Sequence, residues 1–194
     1  MSGAPTADRI LIAEDESIIR LDLRTLLEAH GFEVCGEAAD GLEAVDLAAR
    51  LEPDLIVMDV KMPGLDGIEA ARRILEHRQV PIVMLTAFGH EELVSRAVQA
   101  GVFGYLSKPF REQDVLPALV AAKARHAEFA EVKLQALSLF EALEARKAIE
   151  RAKGILMAKE GISEEEAFSR LRRASQNSGR PMKVIADAVA ATLG

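Results

Sequence analysis

Up to about residue 125 the chain alternates between short apolar runs and amphipathic stretches. The apolar runs, at 9–13, 33–38, 54–58, 81–85 and 103–106, are the predicted strands. The amphipathic stretches, at about 16–29, 40–51, 66–77, 90–99 and 111–126, are the predicted helices. Ile10-Leu11-Ile12-Ala13, Leu55-Ile56-Val57-Met58 and Ile82-Val83-Met84-Leu85 are apolar throughout and do not alternate. Parallel strands covered by helices on both faces read this way. Gly31, Gly41, Pro53, Pro63-Gly64, Pro81, Gly101 and Pro109 punctuate the connections. Alternating strand and helix argues for a doubly wound parallel α/β sheet with right-handed crossovers.

Past Arg111 no further strand is readable. From there to about Lys159 only Pro117 and Gly154 interrupt helix-forming sequence. Pro117 falls in the first turns, where it leaves a kink or marks a later start. Val132, Ala136, Leu139 and Leu143 follow a 4-3-4 spacing, and Leu134, Leu137 and Phe140 widen the stripe. Such a stripe fits a coiled-coil seam between two copies or packing against helices downstream. Gly161 ends the helix. Ser163 with Glu166 forms a capping box, opening a helix of about 164–177 with Ala167, Phe168, Leu171 and Ala174 on one face. Asn177-Ser178-Gly179 is a turn, and Pro181 opens a last helix carrying Val184, Ile185, Ala188 and Val189. The C-terminal part is therefore an all-α three-helix unit on a long linking helix. Phe140 and Phe168 read as core residues there, and Ala152, Gly154, Leu156 and Met157 as packing residues.

Composition narrows the function classes. The 194 residues, 49% of them apolar, suffice for one domain and a smaller second one. A net charge of −7 argues against a general polyanion binder. The charge is uneven: residues 1–130 carry 13 Lys/Arg against 22 Asp/Glu, whereas residues 131–194 carry 11 against 9. Two parts with different partners would look like this. Cys35 is the only cysteine, which rules out an internal disulfide. Its apolar setting reads as a small buried side chain and not a nucleophile. No apolar run approaches the roughly 18 residues of a membrane span. Residues 1–7 read as a disordered tail without the apolar segment of a signal peptide. The expectation is a cytoplasmic protein with no membrane partner.

Chemistry concentrates at the predicted strand ends. Glu14-Asp15 follow the first strand, Asp59 the third, Thr86 the fourth and Lys108 the fifth. In an open parallel sheet these ends line one crevice, where ligands bind. Taken singly each residue is ordinary: an Asp at a strand end is usually a cap or turn residue, Thr86 a cap, Lys108 a surface charge, and Asp66 a loop and cap residue. Their conjunction carries the reading. A carboxylate attacks phosphorus only when the incoming negative charge is neutralised. Mg2+, which takes oxygen ligands, does this. Asp15 and Asp59 are the expected direct ligands, with Glu14 acting directly or through water and the backbone carbonyl of Lys61 as a further ligand. Lys108 supplies a fixed charge for the phosphoryl oxygens, aimed inward by a cis Lys108–Pro109 bond. Thr86 can hydrogen-bond the same group, and the small Ala87 leaves access.

These residues carry a resemblance. Glu14-Asp15, Asp59 followed by Met62-Pro63 and Asp66-Gly67, Thr86-Ala87, and Lys108-Pro109-Phe110 resemble the motifs of a bacterial two-component receiver domain over residues 8–126. The resemblance implies a flavodoxin-like (βα)5 fold with strand order 2-1-3-4-5. It implies phosphorylation of Asp59 by a sensor histidine kinase, with Mg2+. It also implies a switch in which Thr86 moves toward the phosphoryl group and Tyr105 turns inward, altering the surface formed by the 90–99 helix, the fifth strand and the 111–126 helix. Lys61 and Phe88 occupy positions expected to affect the lifetime of the phosphoryl group.

The remainder, residues 127–194, holds a helical linker and a second resemblance. Ala148-Ile149-Glu150-Arg151-Ala152-Lys153-Gly154-Ile155-Leu156-Met157, then Gly161-Ile162-Ser163, Ala167-Phe168 and Leu171-Arg172, resemble an ANTAR domain over about residues 130–192. That implies binding of RNA hairpins and relief of transcription termination, usually as a dimer; on phosphorylation the altered receiver face would either pair with a second copy, giving a homodimer, or release the helical unit. Arg146, Lys147, Arg151, Lys153, Arg172, Arg173 and Lys183 are the candidate RNA contacts, with Arg170 and Arg180 nearby in the chain. Phosphate contacts need such cations. A DNA-binding output lacks an evident helix-turn-helix. A protein-interaction output would use Val132, Leu139 and Leu143. An enzymatic output has no His or Cys in the C-terminal part to work with.

Overall fold

The computed structural model describes residues 7–87, 96 and 100–193. The chain divides into two compact units, the first ending at Phe129 and the second beginning at Ala130. Residues 1–6 of the expected tail, Phe88, and the expected 90–99 helix apart from Arg96 lie outside the described residues.

The first unit is built on five parallel strands: β1 (Arg9–Ala13), β2 (Glu33–Ala38), β3 (Leu55–Asp59), β4 (Ile82–Ala87) and β5 (Gly104–Lys108). Their order is β2-β1-β3-β4-β5. The chain leaves β1 toward one edge and returns to its other side for β3. This reversal opens a crevice at the C-terminal strand ends. α1 (Ser17–Ala29), α2 (Gly41–Leu51) and α3 (Gly67–His77) cross between strands.

The unbroken apolar runs are explained by two cores, one on each face of the sheet. Leu11, Ile56, Met58, Ile82 and Met84 pack with Ala44, Ala48, Ile68, Ala71 and Ile74 of α2 and α3. The intervening residues Ile10, Ile12, Leu55, Val57, Val83 and Leu85 face the other way, toward Leu23 and Leu27 of α1 and toward Val115, Leu119 and Ala122. Successive side chains on a strand point to opposite faces, so each run feeds both cores. Two strands end later than the apolar pattern suggested. β4 and β5 stay paired through Thr86–Ser107 and Ala87–Lys108, because the ladder needs backbone groups and not apolar side chains. Cys35 is half-buried, not buried, since β2 is an edge strand. Burial pushes its thiol pKa up.

α4 (Glu112–Glu160) is one helix of 49 residues, and Pro117 lies inside it. It carries the chain from the first unit into the second. The second unit continues with α5 (Glu164–Ser178) and α6 (Met182–Leu193). Gly161 takes a φ of +66° at the end of α4, as a left-handed cap requires. The Ser163 hydroxyl caps α5 by accepting from Glu166 N at 3.2 Å. Ala152, Leu156, Ala167, Leu171 and Ala186 form the core of this unit.

Several residues expected inside are outside. Phe140 and Phe168 are exposed, as are Gly154, Met157 and Val184. The core of this unit is small and mostly alanine and leucine, and it closes without the aromatics. Val132, Leu134, Leu137, Leu139 and Leu143 are all more than half exposed. The packing alternative for that stripe is therefore not what the chain does.

Backbone approaches around the β3–α3 connection are unusually close. A Cβ added at Gly67 would lie 1.9 Å from the Asp59 carbonyl oxygen, and one at Gly41 would lie 2.2 Å from that of Leu65. Gly64, by contrast, has open space and a φ of +73°. Gly67→Ala is expected to cost roughly 3 kcal/mol, because a backbone atom cannot swing aside. Gly64→Ala should cost only about 1–2 kcal/mol, the left-handed penalty. Urea unfolding of both variants measures the difference.

His126 packs edge-on against Phe103, with centroids 5.0 Å apart, and its Nε2 is buried without a hydrogen-bond partner. Burial holds its pKa below the ordinary 6.5. The unfolded chain therefore binds the proton more tightly than the folded one. The contribution of this site to stability is full above pH 6.5 and lost as pH falls through the depressed folded value. In His126→Phe that loss should disappear, so the stability gap between wild type and variant should change between pH 7 and 5 and be constant above pH 7, as read by thermal unfolding across the range.

Candidate phosphoryl-acceptor site

Four strand ends bring the polar residues together. Glu14 and Asp15 follow β1, Asp59 closes β3, Thr86 is the penultimate residue of β4, and Lys108 is the last of β5. Carboxylate oxygens of Glu14, Asp15 and Asp59 all lie within 4.8 Å of one another. A cavity of about 280 Å³ opens over them, lined by Asp15, Asp59, Lys61, Thr86, Ala87 and Lys108 among others. Glu14 and Asp59 are buried and Asp15 is exposed.

Lys108 holds the cluster together. Its ammonium donates to Asp59 Oδ2 at 2.8 Å and lies 2.7 Å from Glu14 Oε2. The second contact is close but off the hydrogen-bond angle, so Glu14 Oε2 is buried with its charge countered and its lone pairs unfilled. Burial pushes the Glu14 pKa up, against the pull of Lys108, and the Asp59 charge pushes the same way. Burial works against the Lys108 ammonium, but the hydrogen bond to Asp59 and the charges of Asp59 and Glu14 outweigh it and raise its pKa. The Lys108–Pro109 bond is cis.

Residues outside the sequence motifs set the acidic turn. Arg20 donates to the backbone carbonyl of Glu14 and, through Nε, to Glu37 at 3.2 Å. Glu16 N donates to Glu14 Oε1 at 3.2 Å. Sequence reasoning missed Arg20, whose place three residues into α1 gives it no pattern of its own. Asp66, expected as a cap, accepts from Glu69 N at 2.8 Å.

Among the described residues, the Thr86 hydroxyl reaches only the Ala87 carbonyl, at 3.3 Å. Tyr105 is 56% exposed and lies outside the cavity. The oxygen-only donor set, with one buried carboxylate oxygen unfilled, fits a hard dication such as Mg2+.

The candidate RNA contacts divide in the second unit. Lys153 is buried, donating to Glu150 at 2.9 Å and Glu164 at 2.6 Å. Its charge is spent inside the unit, which sets it apart from the other candidates. Arg170 pairs with Glu160 and Glu166, and Lys147 with Glu144. Arg146, Arg151, Arg172, Arg173 and Lys183 are exposed without an ion pair among the described residues.

The parallel sheet with this acidic crevice and the helical unit that follows it define a class. Residues 10–120 match the response regulator receiver domain and residues 138–189 the ANTAR domain. The chain belongs to the response regulators that join these two domains, a family of regulators and not of enzymes. It is similar over its whole length to the transcriptional regulatory protein PdtaR of Mycobacterium tuberculosis, at 48% identity over 201 residues, covering 100% of this chain and 98% of that protein. The chemotaxis protein CheY of Halobacterium salinarum is 41% identical over 58% of this chain and 94% of its own. Among solved structures, the receiver domain of a modulated diguanylate cyclase from Desulfovibrio desulfuricans superposes with a TM-score of 0.58 at 32% identity, covering 63% of this chain and 98% of that one. The receiver domain implies a kinase partner, its acidic cluster is typical of a Mg2+ site, and the ANTAR domain implies an RNA-binding, antiterminating output. No helix among the described residues is long and apolar enough to cross a membrane.

Lys108→Met is expected to destabilise the protein by about 3 kcal/mol, because it leaves the Glu14 carboxylate buried without its counter-charge. Adding Glu14→Gln should recover part of that loss. Chemical denaturation of the single and double variants reads the coupling.

Proposed function

We propose that Asp59 accepts a phosphoryl group from a sensor histidine kinase and that this controls RNA-hairpin binding by the helical unit. One observation carries the reading: a carboxylate at a strand end is hydrogen-bonded to a lysine and faces a cavity with an acidic pair beside it. The Asp59 oxygen forms a bond to phosphorus as the P–N bond of the phosphorylated kinase histidine breaks. The electron pair stays on the imidazole, which then takes a proton. Lys108 turns from the carboxylates toward the new phosphoryl oxygens, whose charge it offsets. Asp15, Asp59, Glu14 and the Lys61 carbonyl would hold Mg2+. When bound, Mg2+ supplies the positive charge that lets an anionic donor approach three carboxylates. Thr86, whose hydroxyl makes one long bond of 3.3 Å among the described residues, turns to hydrogen-bond the phosphoryl group. Tyr105 is exposed, and on this reading it turns inward.

The output rests on the exposed cations of the second unit, which suit an RNA backbone. The apolar stripe on α4 supports a homodimer seam formed on phosphorylation. The same stripe, through Val132, Leu139 and Leu143, is what would favour a protein-interaction output instead. The reading places the protein in the cytoplasm, where kinase and nascent RNA meet.

The test is binding to pools of RNA hairpins and of duplex DNA, with Mg2+ and a small phosphodonor, for wild type and Asp59→Asn. Wild type should bind hairpins selectively and Asp59→Asn roughly 5- to 150-fold more weakly, the range of allosteric coupling. Equal binding by the two would remove the proposed control. Preference for duplex, or no binding to either pool, would replace the RNA output with DNA or a protein partner.

A further inference from the structure

At the end of the sheet opposite the acidic crevice lies a second cavity, of about 350 Å³, among the residues that lead into β1, β3 and β4. Pro53, Val80 and Pro81 give it a buried apolar wall, and α4 contributes Lys123 and His126. Asp8, Asp54 and Arg78 complete its charged groups. Three of these five side chains are satisfied. Lys123 donates to Asp8 at 2.5 Å, so their charges cancel. Asp54 is exposed and accepts from Arg9 N at 2.9 Å. The other two are not satisfied. Arg78 Nη1 and His126 Nε2 are buried without a hydrogen-bond partner, and Arg78 has no ion pair among the described residues. An unmet buried donor is costly, and such groups ordinarily have a partner. Of the three buried side-chain atoms unpartnered among the described residues, two belong to residues lining this one cavity.

We propose that this cavity binds a compact organic monocarboxylate. Both unmet atoms are nitrogens of side chains that can carry positive charge, so the ligand atoms they take are acceptors. The guanidinium and the ring turn to bring these nitrogens from the wall into the cavity. The carboxylate then lies against the planar fork of Arg78, and His126 Nε2 donates to one of its oxygens. The apolar wall takes the ligand's carbon body. Asp8 and Asp54, at the same cavity, disfavour a dianion such as phosphate. The volume is at the low end for small-molecule sites, which run from about 300 to about 1,000 Å³, and suits one small ligand. Burial holds the His126 pKa below 6.5 and the ring neutral at neutral pH. A carboxylate on Nε2 favours the charged ring instead. The charged groups facing His126 here, Asp8, Asp54, Arg78 and Lys123, sum to zero. A bound monoanion is thus matched by one proton on His126, and binding takes up that proton.

The full chain is titrated by calorimetry with propionate, pyruvate, benzoate and inorganic phosphate, in two buffers of different ionisation enthalpy. At least one carboxylate should bind with a Kd below about 1 mM, which ligands of this size can reach. Phosphate should bind roughly tenfold more weakly or worse. Carboxylate binding should take up protons, to at most about one per site, and should tighten as pH falls from about 8 to about 6. Arg78→Gln should weaken it about 10- to 150-fold, the loss of a charge-assisted bond. His126→Phe should keep part of the affinity and lose both the proton uptake and the pH dependence. Thermal unfolding checks that each variant folds. Three results overturn the proposal: no binding of any of the three carboxylates, phosphate binding as tightly as the best of them, or unchanged affinity in Arg78→Gln. None of these outcomes bears on the RNA reading above.

Discussion

Crowding three carboxylates within 4.8 Å at one end of a sheet is electrostatically unfavourable, and the ammonium of Lys108 is what the arrangement depends on. Like charges at such separations repel by several kcal/mol when poorly screened. Lys108 answers two of the three charges at once, from a different strand. It can do so only because β5 pairs beside β4 through its last residue. The site is thus a consequence of the topology: no local segment contains both the acids and their counter-charge. The answer is also incomplete. One buried oxygen of Glu14 keeps unfilled lone pairs, which leaves the cluster receptive to a cation.

Keeping that geometry requires the surrounding backbone to be tight. Gly67 N donates to the Val60 carbonyl at 2.9 Å, and the Asp59 carbonyl sits where a Gly67 side chain would be. Gly41 gives way to the Leu65 carbonyl in the same manner. The connection after Asp59 is therefore pinned from both sides by backbone, which is far less yielding than side chains. Arg20 pins the other acidic turn. Thr86 and Tyr105, the residues proposed to move in a switch, lie in the β4–β5 pair, away from these clamps.

The first unit was largely legible because its signals are redundant. Apolar runs, turn residues and strand-end chemistry each point to a parallel α/β sheet, the receiver resemblance implied its strand order, and the acid, hydroxyl and lysine positions emerge from where the runs stop. What escaped is what has no local signature. Thr86 of β4 and Ser107 and Lys108 of β5 are polar and are held in the ladder by pairing alone. Arg20 acts through a backbone carbonyl that any sequence would supply. In the second unit the pattern misled. Phe140 and Phe168 have the character of core residues, yet a core of Ala152, Leu156, Ala167, Leu171 and Ala186 closes without them. Lys153 looked like one more surface cation and is instead a buried ion-pair centre, because the carboxylate of Glu164, eleven residues away, returns to it.

The charge distribution constrains how a phosphoryl group could raise RNA affinity. Residues 1–130 are strongly acidic and residues 131–194 slightly basic. A phosphate adds about −1.5 to −2 more charge to the acidic part at neutral pH. Acting through space, that charge would repel RNA and lower its affinity. At physiological salt the effect also fades beyond about 8 Å. Direct electrostatics thus has the wrong sign for an activating switch. Activation has to come from a change of surface or of assembly. On the homodimer proposed above, pairing two chains at the exposed apolar stripe on α4 would bury the stripe and put two basic units on one RNA. The gain then comes from holding the second unit near its site once the first is bound, and it needs no new contact.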